Sequence, residues 1–437
     1  MTKQSPTPQI HSIDDLPALL QTLFTTKADE VAMTTDFIKR RRKLTGSSFA
    51  QSTVFGWLAK PDERLVGLAR NTIRAGTPIK PQSLEQRFNQ TSVTFFRSLL
   101  EIAFQHRVKA TPNDLECLKH FKAVHIADSS IIAVPIEFIE DYRGSGNKNS
   151  KGASLKLQAN LELLSGALSF ELQAGVESDH HSAIAFNHAP DELSVRDLGY
   201  FSLKSLVKIK AAAGYFLSRV PIDQIFFNTL EQRLSPSSWL RDGFDDTVWF
   251  KEHQLGVRLI VLKVPEEVRQ ARVLRIESEA KRKQKKVSEK ALLMAGWDVR
   301  ITNASCEMLS VAAVFVVSRL RWQIELFFKV CKSLNLVDES RSKNPFRVLS
   351  EIFAKLLGCL VQHWCIVASA WELPERSLFR TAIVIQTEAI GLFKALGNLL
   401  ILADWFKELR CLVQIGCSID RRRKKPSAFQ LLEALNA

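Results

Sequence analysis

The sequence predicts a mixed α/β protein that begins with a helical region. Three observations support this fold class. Apolar residues recur at helical spacing before residue 118, short apolar runs typical of strands follow, and a second strand-rich block begins near residue 223. With 437 residues the chain has room for two or three domains. We expect a helical domain at 1–118, a central core at 119–222 and 303–375, a β-rich insertion at 223–302, and a helical C-terminal region at 376–437.

The elements follow in chain order. In the helical region, Ser83–Gln86 has the spacing of a capping box, and apolar residues such as Phe95 and Leu99 then recur every three or four positions. In the core, Ser165-Gly166 lies between two apolar runs and indicates a hairpin. The further elements we expect are a helix at 203–213, a strand at 215–220, antiparallel strands at 247–250 and 257–264, and a helix that ends near residue 295.

The composition excludes several classes of protein. Hydrophobic residues make up 46% of the chain and charged residues 24%, which excludes collagen-like, disordered and disulfide-scaffold proteins. Residues 1–10 are polar and lack the apolar centre of a secretory signal. The most apolar stretch, 352–371, contains Lys355 and His363, so we expect a buried helix and no membrane span. The odd cysteine count of seven, without a Cys-x-x-Cys pair, fits reduced thiols in a cytoplasm.

The charge balance favours a polyanionic partner. Sixty Lys and Arg residues outnumber 46 Asp and Glu residues, which gives a net charge of +14. Such a surface attracts nucleic acid, because each phosphate that is neutralised releases a counterion. Basic runs occur at 39–43, 281–286 and 421–425, and the first precedes Phe49, Phe55 and Trp57. The alternative is a solvated basic surface without a ligand. In the first run, the candidate DNA-binding residues are Arg40, Arg41 and Arg42.

Two short apolar runs each end on an acid. The runs are Val124–Asp128 and Leu193–Asp197. Because strand side chains alternate between faces, each aspartate shares a face with two apolar residues. A carboxylate in that position is costly unless it is compensated. A metal ion, a nearby arginine or a solvent-exposed strand end would each provide that compensation.

A polar stripe follows the helical segment at 318–335. At 100° per residue, Arg321, Glu325 and Lys332 fall within about 40° of one another, and Ser318 widens the arc to about 60°. Apolar residues occupy the opposite side, which predicts a buried helix. An ordinary Arg–Glu pair on a helix is the alternative, but that pair does not require a lysine two turns further along the stripe.

These residues carry a family resemblance. The pattern Arg-x3-Glu-x6-Lys at 321–332 matches three of the four residues in the Tyr-x2-Arg-x3-Glu-x6-Lys signature of bacterial DDE transposases of the IS-four type. The chain resembles this family from about residue 36 to 370. Asp-Leu-Gly-Tyr-Phe at 197–201 resembles the second-aspartate motif of that family, and Ala-Asp-Ser-Ser at 127–130 resembles the first. The signature tyrosine is replaced by Ser318.

The resemblance implies a ribonuclease-H-like catalytic core interrupted by the β-rich insertion. It also implies a DNA transposase that moves an insertion sequence by a cut-and-paste reaction. Two alternatives stay open on the residues alone. One is a catalytically silent DNA-binding repressor or domesticated remnant of such an enzyme, and the other is a nuclease of the same fold without strand transfer.

The chemistry of such a site needs three carboxylates. They can hold two Mg²⁺ ions about 3.5–4 Å apart, which clamp the attacking and leaving oxygens of a phosphodiester exchange. Oxygen ligands suit Mg²⁺, and Mn²⁺ can substitute. The predicted catalytic residues and metal ligands are Asp128, Asp197 and Glu325. The implied partners are double-stranded DNA, as terminal inverted repeats and as target, and a second copy of the chain in a synaptic homodimer. The implied location is the bacterial cytoplasm, in association with the nucleoid and not with a membrane.

Further residues are candidates for DNA contact. By resemblance, Arg321 and Lys332 contact phosphates near the scissile bond, as does the residue at position 318. Trp297 either stacks on a flipped base or is a core residue. Lys156 follows a glycine-rich loop and is a candidate contact, whereas Trp322 is expected to pack against the protein.

Overall fold

The computed structural model describes residues 8–40, 43–144, 152–179, 182, 184, 189–229, 231–421 and 426–436. It shows a mixed α/β chain, as the sequence predicts. The chain divides into two compact units. The first unit consists of Met1–Asn113, Asp128–Ile184 and Trp322–Lys425, and the second of Asp114–Ala127, Ala185–Arg321 and Pro426–Ala437.

In chain order, the elements up to residue 174 are β1 (Gln9–Ser12), α1 (Leu16–Thr22), α2 (Ala28–Thr34), α3 (Gly46–Ala59), α4 (Leu65–Arg74), α5 (Pro81–Glu85), α6 (Gln90–Ala103), β2 (His106–Lys109), β3 (Ala123–Val134), β4 (Ala153–Glu162) and β5 (Leu168–Ala174). The next group is β6 (Glu192–Arg196), α7 (Leu203–Ala211), β7 (Tyr215–Arg219), α8 (Pro236–Trp239), β8 (Phe244–Phe250), β9 (Leu255–Lys263), α9 (Glu266–Arg282), α10 (Glu289–Met294), β10 (Trp297–Thr302) and α11 (Val311–Leu320). The chain ends with α12 (Trp322–Lys329), α13 (Pro345–Ala370), α14 (Leu378–Ala395), α15 (Leu399–Gly416) and α16 (Ala428–Asn436).

Helix α3 lies in the aromatic core of the first unit. It begins with a capping box, in which the Thr45 hydroxyl accepts from the Ser48 N–H and the Ser48 hydroxyl accepts from the Thr45 N–H. Phe49, Phe55 and Trp57 on this helix are fully buried. These three residues follow the first basic run in the sequence, but they form the core and do not lie at a DNA-binding surface.

The capping box expected at Ser83–Gln86 is also wrong. Pro81 starts α5, because proline suits the first helical position, and Ser83 therefore lies inside a short helix. The capping box lies instead at Asn89 and Ser92, where α6 begins. Helix α6 buries Phe95 and Leu99, as the spacing predicts.

Helix α13 is the apolar stretch expected to be buried. By length and composition alone it could cross a membrane. Of its most apolar 18 residues, however, 94% are buried inside the protein, so α13 is a core helix of the first unit. This confirms the expectation from the sequence.

Strand β3 runs through both units, with Ala123–Ala127 in the second and the remainder in the first. In the first unit, β3 neighbours β4, and β4 pairs antiparallel with β5. This confirms the expected hairpin, whose turn contains Gly166 at φ +78°, a backbone angle that glycine adopts without strain. The strand does not end at Asp128 as expected but continues to Val134, so Asp128 lies inside it.

In the second unit, the strand order is β3, β6, β7, β10, β9, β8. Strands β3, β6 and β7 are parallel, and the pairs that follow are antiparallel. The register pairs Ile126 with Val195, and Arg196 with Ser218. Strands β8 and β9 confirm the antiparallel pair expected at 247–250 and 257–264. Helix α9 was not expected, and none of its 17 residues, all of them described, is buried.

Candidate active site

Asp197 lies directly after the C-terminal end of β6, as expected. Its side chain is 31% exposed, and the two apolar residues that share its face, Leu193 and Val195, are buried. Arg219 Nη1 is 3.3 Å from Asp197 Oδ1, and Arg321 Nη2 is 3.8 Å from Oδ2. The sequence left three ways open to compensate this charge: a metal ion, a nearby arginine or a solvent-exposed strand end. The structure shows two nearby arginines, Arg219 and Arg321.

The electrostatics keep Asp197 ionised. Burial by itself would raise the pKa of this carboxyl group, but the charge of Arg321, the backbone N–H of Leu198 and the guanidinium of Arg219 together lower the pKa below its usual value. A carboxylate must be deprotonated to bind a cation. Asp197 is therefore in the state that a metal ligand requires at neutral pH.

The sequence analysis missed two arginines near Asp197 in the chain or in the sheet, which are Arg219 and Arg196. Arg219 is the last residue of β7, one position after Ser218, which pairs with Arg196. The feature of the sequence that could have indicated Arg219 is its position as a basic residue near the end of the strand predicted at 215–220. Arg196 is buried beside Asp197, and its Nη1 donates to Ser205 Oγ at 2.8 Å and to the Tyr200 carbonyl at 3.4 Å. Burial lowers the pKa of Arg196 to about 10, so it remains a cation that holds the turn after Asp197.

Ser318 lies near the C-terminal end of α11 and is contacted by Arg300 of β10. Arg300 Nε donates to Ser318 Oγ at 3.1 Å, and its guanidinium lies 5.8 Å from the centre of the Phe315 ring. Burial lowers the pKa of Arg300 to about 10, although Asp298, 3.7 Å away, opposes this shift. No local pattern in the sequence indicates Arg300, because it is 18 residues from Ser318.

Asp128 is half-buried within β3 in the first unit. The backbone N–H of Ser129 donates to Asp128 Oδ1 at 2.8 Å. The hydroxyl of Ser129 donates to Asp179 Oδ1 at 3.0 Å. Asp179 is a further acid that the sequence analysis missed, since it is 50 residues from Ser129.

Lys156 does not face solvent. Its side chain is 9% exposed, and its ammonium group donates to the carbonyl oxygen of Glu177 and lies 3.1 Å from Asp179 Oδ1. This corrects the expectation that Lys156 contacts DNA, because its charge is bound inside the first unit.

The predicted helix at 318–335 is not continuous. Helix α11 ends at Leu320 and α12 begins at Trp322, and the segment Val330–Leu334 forms a π-helical turn. A π turn has more residues per turn than an α-helix, so the spacing of 100° per residue does not hold as far as Lys332. The ammonium group of Lys332 donates to the Ile131 carbonyl of β3 at 2.8 Å and lies 3.9 Å from Asp338 Oδ2.

Glu325 lies in the first turn of α12 and is half-buried. The apolar side of this helix is buried as expected. Ile324 is fully buried, and the Phe327 ring lies 5.2 Å from that of Phe170 on β5. This packing orients α12 on the hairpin of the first unit.

The two tryptophans differ from each other in exposure. Trp297 begins β10, is half-buried and packs against the hydrophobic core of the second unit. That contact matches the core interpretation of Trp297, and base stacking stays a prediction. Trp322 is 58% exposed, so the expectation that it packs against the protein is wrong. Trp322 is the first residue of α12, and the buried side of that helix is formed by Ile324, Phe327 and Phe328, so the indole ring stays exposed.

The first basic run is only partly within the described structure. Arg40 is exposed, as a phosphate-binding residue must be. Arg41 and Arg42 lie outside the described residues, so their predicted role in DNA binding stays a prediction.

The donor chemistry of the candidate site suits a hard divalent cation. Asp128, Asp197 and Glu325 offer only carboxylate oxygens, which magnesium and manganese prefer. Within the described ranges, no group of three or more His, Cys, Asp or Glu residues is assembled into a ready metal site. Two features therefore suit a magnesium or manganese ion: the carboxylate of Asp197 is ionised, and all three residues offer carboxylate oxygens.

Comparison with known proteins identifies the family. The family described as "Transposase DDE domain" matches residues 119–361. The chain is 27% identical over 442 residues to the transposase for insertion sequence element IS231F of Bacillus thuringiensis subsp. israelensis, covering 92% of this chain and 91% of that protein. It is 24% identical over 403 residues to the transposase for IS1151 of Clostridium perfringens, covering 85% and 82%. The matched region, which contains Asp128, Asp197 and Glu325, covers more than half of the chain, and the chain therefore belongs to the family of transposases with a DDE domain.

Proposed function

We propose that this DNA transposase moves an insertion sequence by a cut-and-paste reaction, in which Asp128, Asp197 and Glu325 bind two Mg²⁺ ions. The main support is Asp197, an ionised carboxylate at the end of a parallel strand between two arginines. When bound, the metal ions supply a clamp on the attacking and leaving oxygens of an in-line displacement at phosphorus.

The side chains of this chain then bind and orient the DNA. Arg321, whose guanidinium can form two parallel hydrogen bonds, binds a phosphate near the scissile bond. Lys332 supplies a point charge beside β3, at the carbonyl of Ile131. A ribonuclease-H-like core at 119–222 and 303–375 carries these residues, and the insertion at 223–302 interrupts it. The region 1–118 binds the transposon ends, and 376–437 is a helical C-terminal region.

The partners follow from the reaction. Both terminal inverted repeats must be held together during cleavage, so we propose a homodimer in the synaptic complex. Target DNA is the second substrate. The reaction takes place at the nucleoid in the bacterial cytoplasm.

A cleavage assay tests the proposal. The purified chain, duplex DNA with the flanking inverted repeats, and Mg²⁺ should yield nicks at the transposon ends, and excess EDTA should abolish them. Strand transfer into a supercoiled plasmid should follow. Specific end binding without any nicking in Mg²⁺ or Mn²⁺ would instead identify a silent repressor. Nicking without strand transfer would identify a nuclease.

A further inference from the structure

One carboxylate oxygen in the first unit accepts three hydrogen bonds. Asp179 Oδ1 lies 3.0 Å from Ser129 Oγ, 3.1 Å from Lys156 Nζ and 2.8 Å from Gln158 Nε2. Ser129 is on β3, the two other donors are on β4, and Asp179 lies after β5. The acid therefore links the strand that carries Asp128 to the neighbouring hairpin.

Burial makes this arrangement rigid. Gln158 and Lys156 are buried, and Lys156 also donates to the carbonyl oxygen of Glu177. A buried ammonium group is costly to leave unpaired, so Lys156 holds Asp179 in place. Burial alone would raise the pKa of Asp179, but the hydrogen bonds from Gln158, Lys156 and Ser129 lower it, and the carboxylate stays ionised.

Ser129 connects this network to Asp128 through the backbone. Side chains alternate along a strand, so the Ser129 hydroxyl points to the face opposite that of the Asp128 carboxylate. The hydroxyl is fixed by Asp179, while the N–H of the same residue donates to Asp128 Oδ1 at 2.8 Å. Anchoring the side chain on one face restricts the peptide plane whose N–H orients the carboxylate on the other.

We propose that Ser129, Asp179 and Lys156 are positioning residues for Asp128. They hold the Ser129 peptide so that its N–H presents one oxygen of Asp128 in a single orientation to a divalent cation. The inference rests on the proposed function of Asp128 as a metal ligand. Groups that orient metal ligands in this way typically change metal affinity or activity by about 10–100-fold when they are removed.

The test uses Ser129→Ala in the full chain bound to transposon-end DNA. Mn²⁺ affinity, measured by electron paramagnetic resonance, should fall by about 10–100-fold, and the Mg²⁺ concentration that gives half-maximal nicking should rise in parallel. End-binding affinity should not change, and the variant should remain folded, because the two other hydrogen bonds to Asp179 are intact. Ser129→Thr, which keeps the hydroxyl, should restore Mn²⁺ affinity. Ser237→Ala, at an exposed serine on α8, is the control and should behave as the wild type.

A second variant approaches the network from the other side. Asp179→Asn should weaken Mn²⁺ binding in the same way as Ser129→Ala. If Asp179→Asn does not fold because Lys156 loses its counter-charge, the double variant Lys156→Met/Asp179→Asn removes both charges and carries the same expectation. Wild-type Mn²⁺ affinity in Ser129→Ala and in the folded Asp179 variant would overturn the inference.

Asp128→Asn separates this inference from the proposed function. Loss of nicking and of Mn²⁺ binding in Asp128→Asn, together with unchanged Mn²⁺ affinity in Ser129→Ala, would overturn only the positioning role. Wild-type nicking and Mn²⁺ affinity in Asp128→Asn would overturn both the ligand role and the inference.

Discussion

Arg300 Nε donates a hydrogen bond to the hydroxyl of Ser318, 3.1 Å away. Position 318 is where the Tyr-x2-Arg-x3-Glu-x6-Lys signature that this chain resembles carries a tyrosine. We expect a tyrosine there to reach a phosphate oxygen beside the cleaved bond, and a serine hydroxyl to end several ångströms short. The structure shows that this shorter hydroxyl is bound by a half-buried guanidinium from β10.

Replacing this serine should accelerate the reaction. We expect Ser318→Tyr to restore one hydrogen bond to a charged group, worth about 1.5–3 kcal/mol, and therefore to raise the nicking rate roughly ten- to a hundredfold. Single-turnover nicking measures the rate, and end-binding affinity should not change. An equal or slower rate in Ser318→Tyr would mean that the hydrogen bond between Arg300 and Ser318 already serves this position.

The three candidate ligands should each be essential. Asp128→Asn, Asp197→Asn and Glu325→Gln should each reduce nicking by at least about a thousandfold, because a metal ion contributes several kcal/mol to the transition state. Binding to the transposon end should persist, as measured by gel shift. Asp246→Asn, an exposed acid on β8, is the control and should nick normally. Normal nicking by Asp197→Asn would refute the assignment of that residue.

His363 should make the protein less stable in acid. It is buried, its Nε2 lies 2.8 Å from the Gly166 carbonyl oxygen, and burial lowers its pKa to about 4. The unfolded chain takes up a proton near pH 6.5, which the folded chain does not do until about pH 4. The contribution of His363 to the free energy of unfolding is therefore fully present above pH 6.5. It is lost as the pH falls towards 4, by about 3 kcal/mol in total.

Urea unfolding between pH 7 and pH 4.5 measures this effect. His363→Gln retains a side-chain donor for Gly166 but does not titrate, so its stability should fall less steeply with pH than that of the wild type. Parallel pH profiles for the two proteins would show that His363 is not the group responsible.

The buried ion pair on α13 should be required for stability. Lys355 Nζ lies 2.8 Å from Glu351 Oε1 and also donates to the carbonyl oxygens of Leu336 and Glu339, in the segment after the π turn. Lys355→Met leaves the Glu351 charge buried without its partner and should lower the free energy of unfolding by about 3–5 kcal/mol. Chemical denaturation measures this change. Lys407→Met, an exposed lysine on α15, is the control, and a decrease below about 1 kcal/mol for Lys355→Met would contradict the prediction.

The first basic run should contribute to binding of the transposon ends. Changing Arg40, Arg41 and Arg42 together to glutamine should weaken binding. The plot of the logarithm of the binding constant against the logarithm of the salt concentration should also become less steep, by about 0.9 in slope for each phosphate that is no longer neutralised. Binding isotherms at several salt concentrations measure the slope. A control with the same change in charge neutralises Lys27, Lys60 and Lys407, each of which already pairs with an acid. If both triple variants have the same slope, the run is a solvated face.

Local patterns were enough to predict many of the elements. The alternation at 193–197 placed Asp197 at a strand end, and the turn at Ser165-Gly166 predicted the hairpin of β4 and β5. These features depend on residues close together in the chain, where backbone geometry determines which side chains share a face. Asp128 shows the limit, because the polar residues after it resemble a strand end although the strand continues to Val134.

The sequence by itself determined the basic net charge and the spacing of the acids, the arginine and the lysine from which the type of chemistry was predicted. Only the tertiary structure decided which distant side chains act on them. It places Arg219 beside Asp197, binds Lys156 to Asp179 inside the protein, and exposes Trp322. The physical reason is that helical and strand periodicity are set by neighbouring residues, whereas strand register and the packing of helices on strands bring together groups that no local pattern relates.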